Sequence, residues 1–233
     1  MMKRCSLIGL TLIVYGTLYC NGAKTAEEHM HEMDFDELVQ HFEGKERDEY
    51  QRPDALLGYL EDLLKARASV GAPSLSNGWN GITVADLGAG TGYFSVRLAR
   101  RGASVIALDI DPRFLDYIKN REEYAALSDR LELRKVEPSS IGLKKQEVDV
   151  IFSVNVYHHI QNRMDYFKAA KTSIKPGGLL IIIDFKKESK IGPPERMKIA
   201  KQDVVSELSK AGYQVDVEDQ FLPEQNIYLA IPQ

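Results

Sequence analysis

Cysteine is nearly missing. The 233-residue chain has two, Cys5 and Cys20, both near its start, so no disulfide framework can hold the remainder together and cysteine usage does not report a redox compartment. There are 17 glycines and nine prolines, which is too few for a collagen-like or low-complexity chain. A basic surplus is also lacking. Thirty Lys and Arg face 34 Asp and Glu, for a net charge of -4, and a dedicated nucleic-acid binder is not expected from that balance. Only one long apolar run occurs, which excludes a polytopic membrane protein. What is present, 44% hydrophobic residues, suffices for one compact domain with a full core and an appendage.

The apolar run follows Met1-Met2-Lys3-Arg4 and spans Cys5 to Cys20 without a charge, ahead of the small residues Asn21-Gly22-Ala23. Basic start, apolar stretch and small residues form the pattern of a secretory signal peptide. An uncleaved signal anchor and a lipid-anchored Cys20 are the competing readings. Residues 1–23 are therefore expected to export the chain or tether it to a membrane, and to be its only membrane contact. Residues 24–80 are expected to hold a polar tail and a helical lid, and residues 81–233 the main domain. His29-x-His31 on the tail reads as solvated, and no metal site is expected. Asp34 and Glu37 resemble a helix-capping pair ahead of Phe35, Leu38, Val39 and Phe42. Residues 44–53 read as a charged connector ending in Pro53, a good first helical residue. A leucine-striped helix follows over about 53–69. Residues 71–81 are Gly-, Pro-, Ser- and Asn-rich and read as a loop.

Beyond that loop strands and helices alternate. Strands are expected at 82–87, 104–109, 131–136, 148–154, 179–185, 213–218 and 227–231. Helices are expected from Phe94 to Arg101, Arg113 to Leu127, Arg163 to Ser173, and from a cap at Asp203 to Lys210. Strands made almost wholly of Val, Ile and Leu are buried on both faces, which implies a parallel sheet covered by helices.

The strongest motif is Val84-Ala85-Asp86-Leu87-Gly88-Ala89-Gly90-Thr91-Gly92, a buried strand ending in GxGxG and running straight into a helix. Such glycines let a ligand touch backbone, and the helix start offers free N–H groups. The third glycine comes one position early for a dinucleotide fingerprint. Asp109 ends the next strand, 21 residues after Gly88. A carboxylate there can accept hydrogen bonds from both hydroxyls of a ribose; Asp111 before Pro112 suits the alternative role of capping the following helix.

These segments, with VDVIFSVNVYHHI and IKPGGLLIIIDF in order after them, resemble the motifs of class I S-adenosylmethionine-dependent methyltransferases over about residues 50–231. The resemblance implies an α/β, Rossmann-like, seven-stranded, mostly parallel sheet of order 3-2-1-4-5-7-6 with the last strand antiparallel. It also implies S-adenosylmethionine as cofactor. Gly88, Ala89, Gly90 and Gly92 would line its methionine end, with Asp86 near its ammonium group. Asp109 would hold the ribose, Ile110 would pack on the adenine, and Glu137 would reach the adenine amine. Glu137-Pro138 stands where many members have Asp-Ala, and Pro138 has no N–H to offer the adenine. Asn155 ends the fourth strand at the edge facing the transferable methyl group.

That edge continues as Val156-Tyr157-His158-His159. The Asn/Asp-Pro-Pro-aromatic motif of many amino-group methyltransferases is absent. A base is needed only where the acceptor must first lose a proton, and histidine suits that at neutral pH. One of His158 and His159 is expected to face the pocket while the other packs or caps. Arg163 could clamp an acidic acceptor or simply lie in the first turn of its helix, Asp184 ends the fifth strand, and Lys186, Lys187 and Lys190 read as a solvated basic loop that, if ordered, could close over the acceptor. Tyr50 and Gln51 are plausible lid contacts. The expectation is methyl transfer to a small molecule or an exposed side chain. The alternatives are a nicotinamide-dependent oxidoreductase and an exported protein that binds S-adenosylmethionine without catalysis. An export signal sits awkwardly with a cofactor made in the cytosol.

Overall fold

The computed structural model describes residues 34–68 and 75–233. The expected export segment, the polar tail with His29 and His31, and the first part of the 71–81 loop lie outside the described residues.

Among the described residues three helices precede the sheet: α1 (Phe35–Phe42), α2 (Lys45–Gln51) and α3 (Pro53–Ala68). Asp34 caps α1, its carboxylate accepting the N–H of Asp36 at 2.9 Å, which satisfies one of the donors a helix start leaves unpaired. The stretch expected to be a connector is instead α2. KERDEYQ contains good helix formers, and tertiary contacts of Arg47 and Gln51 hold it. Arg52 ends α2 in the left-handed region (φ 45°), where the following Pro53 disfavours continued helix. Pro53 then opens α3.

The sheet contains β1 (Thr83–Leu87), β2 (Ser104–Asp109), β3 (Leu131–Lys135), β4 (Val148–Val154), β5 (Ile174–Phe185), β6 (Tyr213–Glu218) and β7 (Gln225–Pro232). Their order is β3-β2-β1-β4-β5-β7-β6. The pairs from β3 through to β5 are parallel, and β7 runs against both its neighbours. Helices α4 (Tyr93–Arg100), α5 (Pro112–Lys119), α6 (Tyr124–Leu127), α7 (Arg163–Ala170) and α8 (Lys201–Lys210) connect the strands. The helix expected over 113–127 is broken into α5 and α6. The cap of α8 is Ala200, and Asp203 sits in its first turn. β5 begins five residues earlier than its apolar run suggests. A register shift opposite Val148 and Val150 lets Lys175-Pro176-Gly177-Gly178 enter the strand. A Cβ on Gly178 would overlap the Asp149 carbonyl.

Two apolar layers flank the sheet, one under α3 and α4 and the other under α7 and α8. Phe152 of β4 is fully buried in the first, edge-on to Phe94 and Trp79. The Trp79 indole N–H donates to the Leu57 carbonyl at 2.8 Å, fastening α3 to this layer. The sequence direction reverses between β1 and β4, so the carboxyl ends of these two strands bound the crevice where open α/β sheets bind ligands. Phe152→Ala is expected to destabilise the fold by about 3–5 kcal/mol, as a cavity-forming loss of a buried aromatic; a urea melt followed by circular dichroism checks this.

Candidate active site

A cavity of about 950 Å³ opens above the carboxyl ends of β1 to β4 and is roofed by α1 and α2. Drug-sized ligands occupy pockets of roughly 300–1,000 Å³, so this space is large enough for a cofactor and a small acceptor together.

Its floor is the turn after β1. Gly88, Ala89 and Gly90 line the cavity, with φ +72° at Gly88 and +53° at Gly90. A Cβ on Gly88 would overlap the Val156 side chain across the crevice, so glycine is required by conformation and by space. Asp109 at the tip of β2 accepts the Gly90 N–H at 2.8 Å through one carboxylate oxygen and the Asp111 N–H at 2.9 Å through the other. The two strand tips are thereby tied together. Each oxygen keeps further acceptor capacity, enough for two hydroxyls. Burial pushes the Asp109 carboxyl up to about 6, partly offset by these backbone bonds. Asp111 caps α5 through the Arg113 N–H, so capping does not occupy Asp109. Ile110, Glu137 and Asn155 also line the cavity, as does Pro138.

Two expected residues stand back from it. The Asp86 carboxylate is buried and accepts the Ser95 hydroxyl at 2.5 Å, on the α4 side of β1. Burial raises it to about 6, while the positive charge of Arg47 pulls the other way. Gly92 begins α4 in the left-handed region, and a Cβ there would come within 2.8 Å of Ile118. Its bare backbone thus serves the close packing of α4 on α5 rather than the cavity wall.

Arg47 carries a signal that the sequence hid within a charged run. It lines the cavity from α2. Its Nε donates to the Gln51 side chain at 2.6 Å and one terminal nitrogen donates to the Phe42 carbonyl at 2.8 Å. Its guanidinium lies 4.0 Å from the Tyr93 ring centre, a cation–π contact. Burial lowers its pKa from the ordinary arginine value. The second terminal nitrogen has no hydrogen-bond partner among the described residues, so Arg47 is a fixed cation with a donor to spare. Gln51, expected as a lid contact, is fully buried and positions Arg47 instead. Tyr50 does line the cavity, with its ring 5.9 Å from Phe185.

Both histidines line the cavity, where one was expected to pack away from it. Their rings lie 4.1 Å apart. Asp184 at the end of β5 accepts the His158 backbone N–H at 3.1 Å and the Phe185 N–H at 2.8 Å. Its two oxygens lie 2.8 and 3.0 Å from His158 Nδ1. The carboxylate is thus pinned by backbone and orients the ring, leaving Nε2 without a hydrogen-bond partner among the described residues. His159 makes no such pair: among the described residues its buried Nδ1 has no partner, and burial pushes the imidazole down to about 4. Arg163, an expected clamp, is spent on Glu207 at 2.6 and 2.8 Å.

A Gly-rich turn after the first strand, an acid at the tip of the second and a ligand-sized crevice at the switch point define a nucleoside-binding α/β domain. Residues 85–182 match the model of a methyltransferase domain. The chain is 30% identical over 103 residues to a ubiquinone biosynthesis O-methyltransferase of Cereibacter sphaeroides, covering 44% of this chain and 41% of that one. It is also 30% identical over 110 residues to a tRNA U34 carboxymethyltransferase of Saccharophagus degradans, covering 47% and 34%. The chain thus spans less than half the length of these relatives. A solved S-adenosylmethionine-dependent methyltransferase from Aquifex aeolicus shares the fold, with a TM-score of 0.69 at 24% identity, covering 85% of this chain and 99% of that one. Residues 85–182 are thus similar to a methyltransferase domain, and the chain shares the fold of solved S-adenosylmethionine-dependent methyltransferases.

Binding of S-adenosylhomocysteine is expected to weaken as pH falls through about 6, because protonated Asp109 loses acceptor capacity and the binding form is the carboxylate. Asp109→Ala should lower affinity by about 10- to 100-fold, the equivalent of one charge-assisted hydrogen bond of ~1.5–3 kcal/mol, without unfolding the chain. Asp109→Asn should flatten the pH dependence. Calorimetric titration from pH 5 to 8 measures all three.

Proposed function

We propose that the chain is an S-adenosylmethionine-dependent methyltransferase in which His158 removes a proton from the acceptor. The observation that carries this reading is the Asp184–His158 pair at the same cavity as the glycine turn and Asp109.

The residues present fit the cofactor. Asp109 offers acceptors to a ribose, Glu137 stands at the β3 tip for the base, and Arg47 offers an unspent donor and a positive charge to a carboxylate. Asp86 acts at one remove, as a buried negative charge behind Arg47. When bound, S-adenosylmethionine supplies a methyl group already activated on a sulfonium. The protein's task is then to align the acceptor, exclude water and take up the acceptor's proton. Alignment alone accounts for several kcal/mol and up to ~7–11 in ideal cases. Asp184 holds the proton of His158 on Nδ1, so Nε2 is the basic nitrogen. His159, kept neutral by burial, avoids placing a second positive charge beside a protonated His158.

The relatives' names place one in ubiquinone biosynthesis and the other at U34 of tRNA; a small-molecule acceptor is the reading favoured for this chain, given its acidic balance. Export or membrane tethering through residues 1–23 belongs to the same proposal and rests on the sequence. Cell fractionation with protease protection checks it; full protection of the domain in the cytosol would remove it.

Calorimetry with S-adenosylhomocysteine and with NAD tests the cofactor, and tight binding of NAD alone would sink the proposal. His158→Ala and Asp184→Asn are each expected to lower kcat by about 10²- to 10⁴-fold, the usual contribution of a positioned base, with affinity for S-adenosylhomocysteine unchanged. A loss of that affinity in step with kcat would mean that the pair shapes the cofactor site instead.

A further inference from the structure

The part of the cavity that the cofactor residues do not account for has a distinct chemistry. Past His158 its wall is Ile160, Tyr166, Phe185, Ile191, Pro193 and Met197. Three of these come from the segment 186–198, which the sequence marks as basic. Its lysines do not face the cavity. Lys186 Nζ donates to the carbonyls of Leu222 and Pro223 at 2.9 and 3.0 Å. Lys187 Nζ donates to those of Glu195 and Lys198 at 2.7 and 3.0 Å. Lys198, itself buried, donates to the Ser189 carbonyl. Lys190 and Arg196 are exposed and off the cavity wall. The ammonium groups therefore fold the segment on itself and onto the β6–β7 connection, and turn its apolar residues inward. Gly192 seats the segment on the Phe185 ring, where a Cβ would come within 2.6 Å of ring carbons.

Positive charge is therefore scarce at this end. Arg47 is the one Lys or Arg on the cavity wall among the described residues, and it sits on the cofactor side. Arg163 is held by Glu207. An anionic acceptor body would find no counterion, and burying a charge without one is costly. Glu46, Glu49 and Glu224 do line the cavity, so the discrimination falls on anions alone.

We infer that the segment 186–198 is an acceptor-selecting wall, fastened by its lysines, and that it takes an acceptor with an apolar, non-anionic body bearing a phenol-type hydroxyl. This rests on the methyltransferase reading above and adds the acceptor class to it. The acceptor's O–H gives its proton to His158 Nε2, an oxygen lone pair forms the new O–C bond, and the electron pair of the broken C–S bond stays on sulfur.

The test compares the full chain's initial rates on catechol and 1-naphthol with those on 4-hydroxybenzoate, which presents a phenol beside a carboxylate. The neutral phenols are expected to show kcat/KM at least tenfold higher. Met197→Glu, and independently Ile191→Glu at an exposed position that tolerates polar residues, should raise KM for 1-naphthol at least tenfold with affinity for S-adenosylhomocysteine unchanged. Equal or better use of 4-hydroxybenzoate, no turnover of any phenol by a chain that binds S-adenosylhomocysteine, or unchanged KM in both variants would overturn the inference. A chain that fails to bind S-adenosylhomocysteine would instead take down the underlying cofactor reading.

Discussion

The hydrogen bond from the Gly90 N–H to Asp109 joins the tips of two neighbouring strands, and the ligand site depends on it. Without it the glycine turn would lack a partner for a buried donor, and the Asp109 carboxylate would sit in an apolar crevice with one stabilising bond fewer. With it, a backbone concavity and an acidic acceptor face the same space. Parallel pairing of β1 with β2 puts these tips side by side, and the reversal of strand order between β1 and β4 opens the crevice beside them. The chemistry is thus located by topology before any catalytic side chain is considered.

A second pinned carboxylate organises the other side. Asp184 ends β5 as Asp109 ends β2, and it too is fixed by backbone N–H groups. One acid is left to accept hydroxyls, and the other is consumed in orienting an imidazole. What differs is the neighbour each strand tip meets: a glycine turn that exposes N–H groups, or a tight turn at Tyr157–His159 that brings a ring within reach. The same residue type therefore serves binding at one tip and positioning at another.

Charged residues that look alike along the chain divide sharply in space. Arg47 is buried with a donor to spare, Arg163 is neutralised by Glu207, and Lys186, Lys187 and Lys198 are spent on carbonyl oxygens. The first two came from segments whose composition reads as connector or helix start, the lysines from one that reads as solvated loop. Buried cations need partners, and which partner each finds depends on groups tens of residues away.

The positions of the strands, the glycine turn and Asp109 were legible from the sequence because local patterns encode them, whereas the strand order followed from the family resemblance. Continuous Val and Ile runs mark buried parallel strands, a strand-GxGxG-helix run marks a tight ligand-approach turn, and fixed spacing places an acid at the next tip. Long-range packing decided the rest. Asp86 was drawn to Ser95 and Gly92 to the packing of α4 on α5. The 44–53 stretch became a helix because the cavity roof holds Arg47 and Gln51. His158 was distinguished from His159 only by Asp184, 26 residues on. Periodicity reports which face of an element is buried. It does not report which distant polar group will satisfy a particular side chain, and for this protein that pairing separates the residues that bind from those that only support.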